Sequence, residues 1–254
     1  EAELQRELSR VLDEEAFEED AAKKAYKRLL EIAPGDEAAK AAIERSESKQ
    51  ARWKEIAARY VEEAAGSEDG AFKSSLLMGA AEVAYRFGGD GAMADVGEWL
   101  LQAVRHDPKN KRATSLLERV YRADQRWSDA AFVAEIAAQE GGSKEDRQAA
   151  YLRLARLVAR HLDDKARAAV AYERLLDLAP GQREAMSFLS EHFSATEDFD
   201  SLAALYEDQL RGGGVSAEDE PGITFQIAMV HWRMRGKPDA AEPWFERVRK
   251  ANPT

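Results

Sequence analysis

The sequence contains no cysteine. That excludes structural disulfides, thiolate zinc sites and cysteine nucleophiles. It has no stretch approaching the ~18 apolar residues that cross a bilayer, so no membrane-spanning helix is expected. β-branched residues are sparse and never alternate over a strand length, which leaves almost no sheet to expect. Positive charge is in deficit: 37 Lys and Arg stand against 48 Asp and Glu, for a net charge of −11. An acidic chain lacks the cationic surface that displaces counterions from nucleic acid, and it is not drawn to anionic lipid. GxSxG, GxGxxG and CxxC are all absent. The chain opens on Glu1 with no signal-like segment. That start leaves room for a longer parent protein and leaves the compartment open between cytoplasm and periplasm.

What is present is helix former. Ala, Leu, Glu, Arg and Lys dominate, with 44% hydrophobic and 33% charged residues. The Ala and Arg content also suits a GC-rich bacterial source, on composition alone. The chain repeats itself. Ala22-x3-Tyr26, Val96-x3-Leu100, Ala168-x3-Tyr172 and Ala241-x3-Phe245 each run to a proline, at Pro34, Pro108, Pro180 and Pro253. These prolines lie 74, 72 and 73 residues apart. AYKRLLEIAPGD (25–36) and AYERLLDLAPGQ (171–182) are near-copies. Trp53, Trp127 and Phe199 form a second series, each with an alanine four residues on. The period of roughly 73 is two units of about 36 residues, each holding two helices and two turns.

Breakers and caps place helices near 2–13, 17–33, 36–48, 51–65, 71–87, 91–107, 109–123, 127–140, 144–162, 165–179, 182–194, 199–211, 221–235 and 239–251. The expected hairpins are 1–34, 35–66, 70–108, 109–141, 143–180, 181–214 and 220–254. Glycines at 66, 70, 88–89, 141–142, 212–214 and 236 mark turns. Asp90, Asp164 and Asp239 are candidate caps. Ala22, Ala168 and Ala241 allow close approach of paired helices. Tyr26, Tyr172 and Phe245 fill the gap to the next pair. No pair can bury its apolar face alone, so neighbours must stack.

The pattern resembles the tetratricopeptide repeat family. Phe225, Ala228-Met229, Trp232 and Gly236 stand in the places of that motif's large residue, small pair, aromatic and glycine. The second helix shows Ala, aromatic and terminal Pro. Pairs ending near Ala65, Glu140 and Arg211 lack the proline and keep the pattern only in part, through Tyr121, Phe193 and the Trp or Phe starts. The resemblance implies an all-α fold, a right-handed superhelical α-solenoid of about seven stacked hairpins. It also implies a concave groove that binds peptides or proteins.

Other candidates for chemistry read blandly. His106, His161, His192 and His231 show no metal-ligand spacing. The acidic pairs Glu14-Glu15, Glu62-Glu63 and Asp163-Asp164 sit at helix starts or on helix faces, where carboxylates cap or solvate. No cofactor or metal is expected, and no enzyme activity. Core packing is the expectation for Trp53, Trp99, Trp127, Trp232 and Trp244. Arginine is the sharper signal, with 24 Arg against 13 Lys. Residues pointing into the groove are expected to be Tyr85, Arg112, Arg119, Arg122, Arg153, Arg160 and Arg233. A basic stripe on an acidic protein would recruit a carboxylate-rich peptide through bidentate contacts. The alternative is that these arginines pair with neighbouring Asp and Glu on a solvated face.

The expected function is a scaffold or adaptor that holds a protein or peptide partner. Two alternatives remain: a regulatory or substrate-presenting part of a larger enzyme, and self-assembly through exposed end faces.

Overall fold

The computed structural model describes residues 1–213 and 215–251. Gly214 and Pro253, both used above, lie outside the described residues. The chain divides into two compact units, Glu1–Asp124 and Gln125–Thr254. The division falls inside the expected hairpin 109–141. Among the described residues every regular element is helical.

In the first unit, α1 (Ala2–Arg10) runs on into a π-helical stretch, Val11–Glu15. Then come α2 (Glu19–Ile32), α3 (Glu37–Gly66), α4 (Gly70–Phe87), α5 (Met93–His106) and α6 (Lys111–Ala123). Side-chain caps set three of the starts. Asp36 accepts from Ala39 N at 3.0 Å, Asp69 from Phe72 N at 2.9 Å and Asn110 from Ala113 N at 3.2 Å. Each satisfies a donor that a helix start leaves open. The Asn110 amide also donates to buried Ser74 at 2.9 Å, tying α6 to α4. Leu29, Val96, Leu100, Leu116 and Leu117 are fully buried in the apolar seam.

In the second unit, α7 (Trp127–Glu140) and α8 (Lys144–Leu157) are followed by a π-helical stretch, Val158–Leu162. The unit continues with α9 (Lys165–Leu178), α10 (Arg183–Ala195), α11 (Phe199–Arg211), α12 (Glu220–Met229) with its π-helical end Val230–Met234, and α13 (Pro238–Ala251). Ala168 is wholly buried and Tyr172 is 3% exposed, so the small-then-large pair packs as expected. Ala57, Ala131 and Ala203 are also buried.

The turns inside the helix pairs follow one rule. Phe17, Gly89, Asp163 and Gly236 all have left-handed backbone, with φ of 57°, 61°, 50° and 62°. They lie 72, 74 and 73 residues apart, one per double repeat. Gln125 and Glu197, at φ 57° and 58°, form the second series. Reversing the chain within a pair here uses one residue in that region, which glycine adopts freely and others at a cost. For Phe17 the cost is of order 1–2 kcal/mol.

The turn missing from the second series explains the main departure from expectation. The helices expected at 36–48 and 51–65 are both present, but they join without a turn: within the helical stretch α3 they meet at a kink on Arg52 (φ −126°, ψ 17°). The tight turn expected between them is replaced by this one-residue kink. The copy in the second unit, 146 residues on, has buried Phe193 where α3 has Glu47, left-handed Glu197 where it has Ala51, and the cap Asp198 where it has Arg52. Without aromatic, turn residue or cap, the two helices join through a kink in place of a tight turn. Residues 47–52 are exposed on every side. Beyond the kink, α3 packs on α4, where Gly79 makes room for the Tyr60 ring: a Cβ there would sit 3.3 Å from it.

Three smaller expectations need correcting. Asp164 does cap α9, accepting from Arg167 N at 2.9 Å. Asp90 and Asp239 instead sit inside the first turns of a 3-10 turn and of α13, without capping bonds. Not every tryptophan is core: Trp232 is 44% exposed and the other four are half-buried.

Candidate protein-binding site

The first unit brings two of the predicted arginines together with one that was not predicted. Phe17, in the turn between α1 and α2, is 9% exposed. Its ring lies under the guanidinium carbons of Arg86 (4.9 Å), Arg112 (5.7 Å) and Arg119 (5.8 Å). Arg86, on α4, donates to Asp13 Oδ1 at 2.5 Å and pairs with Glu19 at 3.4 Å and Glu82 at 3.0 Å. It also donates to the Asp13 carbonyl. Arg112 reaches Glu82 at 2.8 Å. Arg119 donates to the carbonyls of Ala16 and, at 3.4 Å, Glu15.

Three guanidinium groups crowded on one ring would repel. Three carboxylates, Asp13, Glu19 and Glu82, balance them, so the cluster closes near neutrality. Each cation–π contact adds roughly 0.5–2 kcal/mol, depending on desolvation, and together they offset the strained Phe17 backbone. Tyr26 abuts the same cluster, donating to Asp13 Oδ2 at 3.4 Å. Burial first, then the Asp13 charge, pushes its phenol up to about 12.

The other predicted residues of this unit stay outside the cradle. Tyr85 is half-buried on α4. Arg122 pairs one turn back with Glu118 at 3.6 Å, a local helix-face contact.

In the second unit, α8 and its π-helical end carry Arg153, half-buried and partnered, and Arg160, which is exposed. Between them Arg156, not singled out from sequence, grips Glu184 of α10 with both ends of its fork, one bond at 2.8 Å. Tyr172 donates to the same carboxylate at 2.9 Å. The Arg156 bond holds Glu184 below the usual carboxylate range, against the opposing effect of burial. Burial and the neighbouring Glu184 push Tyr172 up to about 12. Arg233 lies 4.6 Å over the Trp232 ring. Trp232 and Phe225 meet Phe245 edge-on at 6.0 and 6.2 Å.

His106 is exposed, and the other three histidines pack against neighbours. His161 stacks on Trp127 at 3.7 Å. Buried His231 bridges Glu207 and Arg235, each at 2.9 Å. Arginine only donates, so Nδ1 accepts and Nε2 carries the proton toward Glu207. Among the described residues no group of three His, Asp or Glu could hold a metal. No helix of the described chain is long and apolar enough to cross a membrane.

Sequence reasoning named Arg112 and Arg119 but not Arg86, Phe17 or Asp13. The signal lay in the repeat spacing: Phe17 occupies the place that Gly89 and Gly236 fill in later copies. A large aromatic there contradicts the turn chemistry and marks a tertiary contact.

No family model and no curated protein matches the sequence. Solved structures similar to it include MamA, at 17% identity over 70% of this chain and 91% of that one, with a TM-score of 0.36. YrrB, described as a TPR protein with an unusual peptide-binding site, is 11% identical over 78% of this chain and 92% of that one, at 0.37. BtubC from P. vanneervenii is 14% identical over 94% and 90%, at 0.38. The chain is an all-helical repeat fold, and a tetratricopeptide-repeat protein is among the solved structures it is similar to.

Proposed function

We propose that this chain is a protein-binding scaffold that holds a peptide or partner segment on the faces of the first helices of its pairs. One observation carries the reading. In the first unit, guanidinium groups from α4 and α6 already hold the end of the first helix and the turn after it, through carboxylates, carbonyls and an aromatic ring. A surface that grips one such segment has the chemistry to grip another. In the second unit, Arg153, Arg160 and Arg233 with Trp232 extend the same kind of side chain along α8 and α12. Charge complementarity with an acidic segment steers the encounter and fixes its register.

The test is capture of a native partner, followed by Arg153→Glu with Arg160→Glu in the full chain. Affinity should fall at least about ten-fold, which is ~1.4 kcal/mol. Unchanged capture would remove the second unit's arginines from the interface.

Self-association has one observation in its favour: Leu4 and Leu8, one turn apart on α1, are 79% and 49% exposed. Sedimentation over a concentration series should then show a dimer that Leu4→Lys abolishes.

A further inference from the structure

The turn between α1 and α2 reaches α4 and α6 across a long stretch of sequence, and it does so through side chains. Arg86, Arg112 and Arg119 extend to it from their helices, and the contacts are polar or cation–π. Its phenylalanine sits in strained backbone. The helix that follows the α1–α2 pair, α3, is kinked at Arg52 and exposed around it, so the pair is carried on an arm with a weak point. The guanidinium Nε of Arg86 is buried without a hydrogen-bond partner, so the fit of this occupant is incomplete.

From these observations we infer that the Arg86–Arg112–Arg119 cradle is a recognition site for an acidic segment carrying an aromatic residue, and that Asp13–Glu19 is an internal latch occupying it. The inference rests on the scaffold reading and adds the partner's chemistry and its gate. The occupant defines the chemistry. Two carboxylates, Asp13 and Glu19, and the Asp13 carbonyl meet Arg86, two carbonyls meet Arg119, and one aromatic ring lies under all three guanidinium groups. A partner offering the same groups from unstrained backbone replaces each contact and releases the left-handed Phe17. Binding then swings the α1–α2 pair away on α3.

The probe is a fluorescent peptide with the chain's own residues 11–20, VLDEEAFEED, added to the full-length protein. The latch is cleared by Asp13→Ala with Phe17→Gly. Glycine suits the left-handed turn, so the clearing change relieves strain rather than adding it. A latch closed nine-tenths of the time lowers apparent affinity about ten-fold, so the cleared chain should bind at least that much tighter than the original. Adding Arg112→Ala and Arg119→Ala should abolish the gain, as should replacing the peptide's phenylalanine by alanine. Equal binding by the original and cleared chains would overturn the inference, and so would binding that survives loss of both arginines.

A second measurement needs no cleared variant. The chain lacks cysteine, so spin labels at Glu3→Cys and Ser115→Cys report only the α1-to-α6 distance. Saturating peptide should add a longer distance. An unchanged distribution at saturation overturns the latch, and a doubled mass in sedimentation overturns it by assigning the cradle to a second copy. Loss of native-partner capture in Arg153→Glu/Arg160→Glu alongside a null peptide result would leave the scaffold reading standing and remove only the latch.

Discussion

The two near-copies, AYKRLLEIAPGD and AYERLLDLAPGQ, lead into different structures. After the second, the chain makes α10, a tight turn and α11. After the first, it makes one kinked helix of 30 residues. Both segments begin alike and carry an alanine at the matching buried place, Ala39 and Ala185. They part at Glu47 against Phe193, Ala51 against Glu197 and Arg52 against Asp198. Helical propensity is satisfied in both. A hairpin needs three further things: a ring to bury across the pair, a residue that accepts left-handed backbone and a cap for the next helix. Removing all three leaves two helices joined by a one-residue kink at Arg52 in place of a turn.

The largest contrast should come from the matching tyrosines. Tyr172 is buried and hydrogen-bonded, so Tyr172→Ala should cost about 3–5 kcal/mol. Tyr26 is only half-buried, and Tyr26→Ala should cost roughly half as much. Urea denaturation of each variant measures both, and equal losses would break the claim that the two copies are packed differently. Next in size is the local stability of the segment after each copy. Amides of 47–52 in α3 lie in open solvent on all sides, so they should exchange at least about ten-fold faster than those of 190–195 in α10. The caps give a smaller contrast. Asp198 accepts from Ser201 N at 3.1 Å, and Asp198→Ala should cost ~1 kcal/mol. Arg52 makes only an exposed pair with Glu55, so Arg52→Ala should stay within about 0.5 kcal/mol.

The smallest effect is acid-dependent. Glu184 is held below its unfolded carboxylate value by Arg156, so the bridge stabilises the second unit fully above about pH 4.3. That stabilisation is lost as pH falls through the depressed value. Glu184→Gln should flatten this part of the acid limb in thermal melts. A limb unchanged by the substitution would show that the bridge contributes nothing to folding.

Much of this was legible in sequence because repeats make errors visible. The prolines, the small-then-large pairs and most helix spans emerged from spacing alone. Arg112 and Arg119, named as groove residues, lie two turns apart on α6 and both meet the ring of Phe17. Arg122 belongs to that helix but turns back to Glu118, a local pairing that no spacing rule separates from a groove contact. Arg86 escaped because its role depends on a turn 69 residues earlier (86 − 17), and no local pattern carries such a contact. The kink at Arg52 escaped because the Trp53 and Ala57 series continues past it. That series records which face packs on the neighbouring helix, and it is silent about whether the preceding residues reverse direction.

The most direct measurement is a spin-label distance between Lys40→Cys and Glu63→Cys, both exposed positions near the ends of α3. Twelve and eleven residues of helix at 1.5 Å rise, about 18 and 17 Å, meet at the Arg52 kink. A single population above about 20 Å is the expected result for the unmodified chain. Adding Glu47→Phe, Ala51→Gly and Arg52→Asp should then bring in a second population below about 20 Å, as two packed helices require. A short distance in the unmodified chain would mean the two copies fold alike, and would remove both the kinked join and the arm that carries the latch.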